Sequence, residues 1–169
     1  MSHNLPGVSD LIETMARELR ELIERQALPD PLMIGIHTGG VWVAEKLHRL
    51  LRLPEPLGVL DISFYRDDFT RLGLHPVVKP SRLPFNVEER HIILVDDVLY
   101  TGRTIRAALN EIGDYGRPAS VTLAVLVDRG GRELPIEARV AGARMELRGD
   151  EYVKLSGPEP LTLTVQRKP

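Results

Sequence analysis

The fold is decided by the stretch HIILVDDVLYTGRT, which runs from His91 to Thr104. Its first five residues are mostly β-branched or leucine, a composition typical of a strand buried on both faces. Two carboxylates follow, and then a loop that ends in T-G-R-T. From Ile105 onward the apolar residues recur at helical spacing. We therefore expect the acids and the loop where a strand passes into a helix, at the carboxyl edge of a sheet, which is where open α/β folds bind ligands.

The residues of this loop suit a ribose 5-phosphate. A helix amino terminus exposes N–H groups and a partial positive charge, so it can hold a phosphate. Thr101 and Thr104 add hydroxyl donors, and Gly102 allows a close backbone approach. Asp96 and Asp97 would repel a phosphate, but carboxylates accept hydrogen bonds from sugar hydroxyls or bind a divalent metal. A simpler interpretation is that Asp96 and Thr104 only cap a helix, but two acids and two threonines around a glycine exceed what a cap requires.

Apolar segments of strand and helix type alternate along the chain, which predicts an α/β fold with a mostly parallel central sheet flanked by helices. The first helix is expected from a capping box at Asp10 and Glu13 to a point before Pro29. Two more helices are expected at 41–52 and from 105 to the glycines 113 and 116. The predicted strands cover 32–36, 57–62, 91–95 and 121–127, followed by short edge strands within about 136–169 (138–141, 152–155 and 161–165).

Length and composition indicate one soluble domain. The chain has 169 residues, 43% of them apolar and 27% charged, with no cysteine. The missing cysteines exclude disulfides and thiolate chemistry and fit a cytoplasmic protein. No apolar run approaches the ~20 residues of a membrane span. The formal net charge of −2 gives no general basic excess, so a nucleic-acid role would depend on a local patch.

Three motifs in order carry a specific resemblance: DISFYRDDF, VDDVLYTGRT and AVLVDRGGRELPI. The second resembles the phosphoribosyl pyrophosphate (PRPP) motif of type I phosphoribosyltransferases. Together they resemble the PyrR family of pyrimidine operon regulators, which are also uracil phosphoribosyltransferases, over roughly Ile34 to Val140. The resemblance implies the type I phosphoribosyltransferase fold with a small flexible hood at about 63–89, a homo-oligomer (dimer or tetramer), and PRPP, UMP and uracil as ligands. Mg²⁺ would be bound mainly through the pyrophosphate of PRPP, without an all-protein metal cage.

The resemblance also assigns residues to roles. Asp96 and Asp97 would contact the ribose hydroxyls, with Asp97 nearer the reacting carbon, and together they are the candidate catalytic residues. The loop Leu99, Tyr100, Thr101, Gly102, Arg103 and Thr104 would hold the 5-phosphate. Thr38, Gly39 and Gly40 would bind pyrophosphate, in a loop where the family often has a non-proline cis peptide. Val127, Asp128 and Arg129 would lie near the base. Arg66, Lys79 and Arg82 would reach the pyrophosphate from the hood, although Lys79 and Arg82 are equally well interpreted as solvated surface cations.

Two departures from the family pattern bear on activity. The pyrophosphate loop of the family typically reads Thr-Arg-Gly, whereas this chain has Thr38-Gly39-Gly40. A guanidinium matched to pyrophosphate oxygens is therefore missing, which favours weak turnover and gives weight to a plain turn at this point. We expect Gly39→Arg to raise the rate. The candidate RNA surface keeps Arg129 and Arg132, but Gly131, Glu137 and Ala143 replace a histidine, an arginine and a lysine of the family, which predicts weak RNA binding.

Three functions remain open at this point. One is a nucleotide-sensing regulator that binds UMP and PRPP, with weak uracil phosphoribosyltransferase activity. Another is a fully active salvage enzyme that makes UMP from uracil and PRPP and has no RNA role. The last is a different phosphate- or dinucleotide-binding α/β domain, for which the chain offers neither GxGxxG nor GxxxxGK[ST].

Overall fold

A computed structural model describes residues 5–62 and 81–169 of the chain. Five of its strands are β1 (Leu32–Ile36), β2 (Gly58–Leu60), β3 (His91–Leu99), β4 (Ser120–Asp128) and β5 (Val140–Arg144). They form one parallel sheet in the order β2-β1-β3-β4-β5. The predicted α/β fold is confirmed, and β3 occupies the middle of the sheet.

Helices cover both faces of this sheet: α1 (Val8–Glu24), α2 (Gly39–Leu51) and α3 (Arg103–Tyr115). Because successive side chains of a strand point to opposite faces, the strands contribute to two separate cores. Met33 and Ile93 pack with α1 and α2 on one face. Ile34 and Leu94 pack with α3 on the other. Burial on both faces explains why the central strands are almost wholly apolar.

Helix α1 begins earlier than its sequence signal indicated. It starts at Val8 and is preceded by Gly7, which makes no side-chain cap hydrogen bond. Asp10 therefore lies within the first turn, where its charge suits the helix dipole, and the predicted capping box of Asp10 and Glu13 is wrong. The apolar stripe of the helix is buried as the periodicity predicted, with Met15 and Leu19 fully inaccessible.

The carboxyl-terminal segment is divided between two sheets. β5 pairs with β4 as the edge strand of the central sheet. β6 (Glu151–Ser156) and β7 (Thr162–Arg167) instead pair with each other, antiparallel, as a separate two-stranded sheet. Leu155 and Leu163 of this hairpin pack against the α1–α2 core. The prediction of three edge strands thus holds only for the first.

Residues 63–80 of the predicted hood lie outside the described residues. The described end of the hood segment packs on the sheet. Val87 is fully buried, and Leu83 and Phe85 contact the α3 core. Arg82 forms an isolated backbone bridge with Val59 of β2. In the described ranges no helix is long and apolar enough to span a bilayer.

Candidate functional site

The predicted site residues converge at the carboxyl edge of the parallel sheet. β1, β3 and β4 are neighbours and run in the same direction, so their carboxyl ends meet at one edge. The loop Thr38–Gly40 follows β1, the acids and the 99–104 loop belong to β3 and its connection to α3, and Asp128 ends β4. This edge is the usual ligand position in open α/β folds.

The two acids lie within β3 rather than after it. The strand was predicted to end at Val95, but it continues to pair with β4 as far as Leu99. Asp96 is 6% exposed and its Oδ1 accepts the Asp97 N–H at 2.8 Å. Oδ1 of Asp97 accepts the Val98 N–H at 2.8 Å. These short backbone bonds fix both carboxylates at the sheet edge.

The Thr38–Gly40 loop rests directly on this acid pair. The His37–Thr38 peptide is cis, and α2 starts at Gly39. A Cβ atom added at Gly40 would lie 2.7 Å from the Val95 carbonyl oxygen and 3.0 Å from Asp96 Cα. One added at Gly39 would overlap the Asp97 carboxylate. Both glycines therefore allow the start of α2 to approach the acids, which a plain turn would not require.

Helix α3, which follows the connection from β3, has a glycine as its N-cap residue. The N-cap of α3 is Gly102, with a φ of 95° and no side-chain cap hydrogen bond. The interpretation of Asp96 and Thr104 as mere helix caps is therefore wrong. Thr101 contributes a different local contact, since its Oγ1 accepts the Arg103 N–H at 3.2 Å. The amino end of α3 opens into this loop with its partial positive charge, as an anion site requires.

The segment after β4 packs against the same loop through two arginines. Arg129 is 7% exposed, and its guanidinium lies 3.8 Å from the centre of the Tyr100 ring, a cation–π distance. Its Nη1 donates to the carbonyl oxygen of Glu151, 2.8 Å away. Arg132 donates to the Tyr100 carbonyl at 2.6 Å and to the Asp128 carboxylate at 2.7 Å. Both arginines of the predicted RNA surface are thus hydrogen-bonded within the chain, Arg129 as a buried side chain and Arg132 as a partly exposed one.

The remaining predicted residues are placed as follows. Val127 is fully buried, and the Asp128 carbonyl accepts the Met145 N–H at 2.9 Å, so part of the base-proximal turn is already used internally. The exposed side chain of Arg82 lies on the segment beside β2. Arg66 and Lys79 lie outside the described residues. Sequence reasoning did not identify the internal contacts of Arg132, for which the four-residue spacing from Asp128 was the only signal.

Comparison with known proteins gives the family. The phosphoribosyl transferase domain matches residues 3–150. A protein of Nitrosococcus oceani named Bifunctional protein PyrR is 61% identical over 162 residues, covering 95% of this chain and 92% of that protein. The chain belongs to the PyrR family. A second member, the Bifunctional protein PyrR of Pseudomonas syringae pv. syringae, is 56% identical over 96% of each chain.

The fold of this PyrR family member extends to more distant proteins. The hypoxanthine phosphoribosyltransferase of Trypanosoma cruzi superposes with a TM-score of 0.70, over 98% of this chain and 96% of that one. At 20% identity this likeness shows the fold alone. The type I phosphoribosyltransferase fold expected from the motifs is therefore confirmed.

The residues after β4 that differ from the PyrR motifs can be placed in the structure. Gly131 has a φ of 79°, and a Cβ atom there would overlap the Tyr100 ring. A histidine at this position would displace Tyr100 from Arg129. Ala143 lies on β5 and packs against the apolar core, and Glu137 is exposed. Gly131 therefore borders the candidate 5-phosphate loop. Ala143 lies against the apolar core, and Glu137 lies on the surface.

Proposed function

We propose that this protein binds UMP and PRPP at the carboxyl edge of the sheet, and that it serves as a nucleotide-sensing regulator of pyrimidine nucleotide formation with weak uracil phosphoribosyltransferase activity. The observation that carries the proposal is the juxtaposition of the Asp96–Asp97 pair with the amino end of α3. A carboxylate pair suits the ribose hydroxyls, and the helix terminus with Thr101 and Thr104 suits the 5-phosphate. The names of the PyrR relatives support the same two-fold role.

The reaction would be a displacement at the anomeric carbon of PRPP. A ring nitrogen of uracil forms the new C–N bond, the C–O bond to pyrophosphate breaks, and the nitrogen loses its proton. The chain would contribute by orienting the two reactants and stabilising charge, because no nucleophilic side chain is needed for this step. Asp97 would hold the ribose, and the Thr38–Gly40 loop beside it would face the departing pyrophosphate.

The donor set fits a magnesium ion carried by the pyrophosphate. Within the described ranges no three carboxylate, histidine or cysteine side chains form a cluster that could hold a metal ion. Asp97 does present its carboxylate towards Gly39, where the pyrophosphate would lie. Carboxylate oxygens beside a phosphorylated ligand are the environment Mg²⁺ prefers. When bound, the ion would neutralise charge on the leaving group.

Calorimetric titrations test this proposal directly. UMP, GMP and PRPP would each be titrated with and without magnesium. We expect UMP and PRPP to bind, PRPP more tightly with magnesium, and GMP to bind less tightly than UMP. A chain that binds none of the three would contradict the proposed function.

Turnover is expected to be weak because Gly39 offers no guanidinium to the pyrophosphate. A charged donor in a water-excluded site can lower an activation barrier by roughly 3 kcal/mol, or about a hundredfold in rate. Conversion of labelled uracil to UMP measures this activity. A rate as high as that of PyrR relatives that carry the arginine would favour the fully active salvage enzyme.

RNA binding is expected to be weak as well. Arg129 is buried and Arg132 is hydrogen-bonded within the chain, whereas Arg139, just before β5, and Arg144, at the end of β5, are exposed. Phosphate neutralisation dominates RNA affinity, and Glu137 opposes it. Gel-shift titration of a pyrimidine leader RNA with UMP present, at low and physiological salt, measures it. Tight, sequence-specific binding that Arg139→Ala and Arg144→Ala abolish would restore a direct RNA role.

A further inference from the structure

We propose that Arg132 is a positioning residue for the 5-phosphate loop, residues 99–104. Its guanidinium would hold the backbone of this loop in the shape that binds a phosphate, without touching the ligand. The inference rests on the proposed function, because it takes the loop to bind a 5-phosphate. It differs from the role predicted from the sequence, which placed Arg132 on an RNA surface.

Every nitrogen of the Arg132 guanidinium contacts an oxygen of the chain. Nη1 donates to the Tyr100 carbonyl at 2.6 Å, and Nε donates to the Ile136 carbonyl at 2.8 Å. Nη2 lies 2.7 and 2.8 Å from the two carboxylate oxygens of Asp128. The Asp128 side chain is only 12% exposed. Charge-assisted bonds in such a partly dry setting are shorter and stronger than neutral ones.

Arg132 completes a row of contacts along the loop. The Leu99 carbonyl accepts the Arg129 N–H at 3.1 Å, and the Thr101 carbonyl accepts the Glu133 N–H at 2.9 Å. The Tyr100 carbonyl between them is held by Arg132. Three successive carbonyl groups are therefore directed towards the segment after β4. Of these three contacts, only the middle one is made by a side chain.

Fixing these carbonyls also fixes the amides of the loop. In a planar trans peptide the C=O of one residue and the N–H of the next point in opposite directions. Holding the carbonyls of residues 99–101 therefore directs the N–H groups of Tyr100, Thr101 and Gly102 away from the segment after β4. Arranged amides at a helix start are what bind an anion. Arg132 controls the middle peptide of this row.

The competing interpretation is that Arg132 only stabilises the fold. A purely structural arginine would lower thermal stability when removed but would weaken UMP and uridine in equal proportion. A positioning residue would weaken UMP selectively, because uridine lacks the 5-phosphate. The ratio of the two affinities therefore separates the interpretations.

The test compares Arg132→Ala, Arg132→Lys and the control Arg117→Ala by calorimetry with UMP and uridine. Arg117 is exposed and lies before β4, at the opposite end of that strand from Arg132. We expect Arg132→Ala to lower the affinity for UMP at least about tenfold, as for loss of a charge-assisted bond, with uridine affinity unchanged. Lysine should restore part of the effect, since it keeps the charge without the planar fork. Arg117→Ala should change neither ligand.

An unchanged UMP-to-uridine ratio in Arg132→Ala would overturn the inference. If Arg132→Ala does not fold, the lysine variant decides by the same ratio. If the wild-type protein does not bind UMP, the proposed function fails, and the positioning role is decided separately by NMR of the ligand-free protein. Shifted amide resonances of Tyr100, Thr101 and Gly102 in the Arg132 variant would then support it, and unshifted resonances would refute it.

Discussion

Asp97 is the side chain on which we expect ribose binding to depend most directly. One of its oxygens accepts a backbone N–H at 2.8 Å, and its carboxylate faces Gly39. We predict that Asp97→Asn folds normally, because the amide is isosteric and can keep the bond to Val98. Its affinity for PRPP should fall about tenfold to a hundredfold, since a neutral amide is a weaker acceptor for the sugar diol. Calorimetry with PRPP and magnesium measures this loss.

A control for this change is Asp114→Asn, which removes an exposed carboxylate near the far end of α3. It alters the net charge by the same amount, so it separates a local contact from a general electrostatic effect. Equal PRPP affinity in Asp97→Asn and wild type would show that Asp97 does not contact the ribose.

A substitution at Thr104 tests the proposed binding of the 5-phosphate. Thr104→Val keeps the shape of the side chain but removes its hydroxyl donor. We predict that UMP and PRPP weaken in equal proportion, because both carry a 5-phosphate, by about 0.5–1.5 kcal/mol or more if the phosphate is fully charged. Thr162→Val, on the exposed face of β7, should leave both affinities unchanged. If Thr104→Val changes neither ligand, the threonine has no part in phosphate binding.

Gly39 lacks the guanidinium that the family has at this position, and the Asp97 carboxylate leaves no space for a side chain there. Any side chain here must displace the Asp97 carboxylate. We predict that Gly39→Ala lowers the rate of UMP formation from uracil and PRPP, because Asp97 is moved without compensation. Gly39→Arg should be faster than Gly39→Ala, since its guanidinium can bind pyrophosphate and pair with the displaced acid. Steady-state rates of the two variants and the wild type measure these effects. Equal rates for Gly39→Ala and Gly39→Arg would mean that a guanidinium at this position does not assist the reaction.

Among the helices and strands, the close approach of α2 to β3 shapes the candidate site. A Cβ at Gly40 would press on the Val95 carbonyl and the Asp96 backbone. We predict that Gly40→Ala destabilises the fold by about 1–3 kcal/mol, as overpacking does, and lowers Tm by roughly 2–12 °C in a domain of this size. The affinity for PRPP should fall as well, because the same substitution disturbs the position of Asp96. Thermal unfolding followed by circular dichroism measures the first effect.

Gly113 offers the matched control for this substitution. It lies in α3, and a Cβ atom there would meet nothing within 4 Å. Gly113→Ala should therefore stabilise the protein by about 0.5–1 kcal/mol, the usual gain when alanine replaces glycine inside a helix. Equal stability in the two alanine variants would mean that α2 does not need the close approach.

Strands buried on both faces were all predicted from the sequence, but their bounds were predicted with unequal accuracy. β1 was predicted at Leu32–Ile36 and has those bounds, because its five buried apolar residues end at a loop. β3 extends four residues past its predicted end, since Asp96 and Asp97 keep their pairing with β4 despite their charge. The start of α1 was misplaced because a side-chain cap was assumed where Gly7 precedes the helix.

For the molecule as a whole, the sequence predicted the parallel sheet and that the candidate site residues would meet at its carboxyl edge, but not the contacts across that edge. The motif at the end of β3 and in the following loop contains acids, a glycine and threonines in one continuous run, so it could be identified from the sequence. The internal roles of Arg129 and Arg132 depend on where the fold places two distant carbonyl oxygens, that of Glu151 on β6 and that of Tyr100 in the β3–α3 connection. Contacts with such distant partners depend on tertiary packing, and only the Asp128–Arg132 pair, four residues apart, had a local sequence signal.

Ligand binding should also stabilise the whole domain. We predict that UMP at about one hundred times its Kd raises the free energy of unfolding by about 2.7 kcal/mol, which corresponds to a Tm increase of roughly 5–11 °C for a chain of this length. Uridine at the same concentration should raise Tm less, because it lacks the phosphate. A Tm that responds equally to both would indicate that the phosphate is not bound.

In the proposed site, the β3–α3 connection binds the 5-phosphate while Asp96 and Asp97 hold the ribose. The most direct measurement is a crystal structure of the protein with UMP. The predicted result places the phosphate within hydrogen-bonding distance of the 101–104 backbone and the Thr104 hydroxyl, with the ribose hydroxyls on the two carboxylates. A UMP molecule whose phosphate lies elsewhere, or whose ribose does not contact Asp96 or Asp97, would contradict the account.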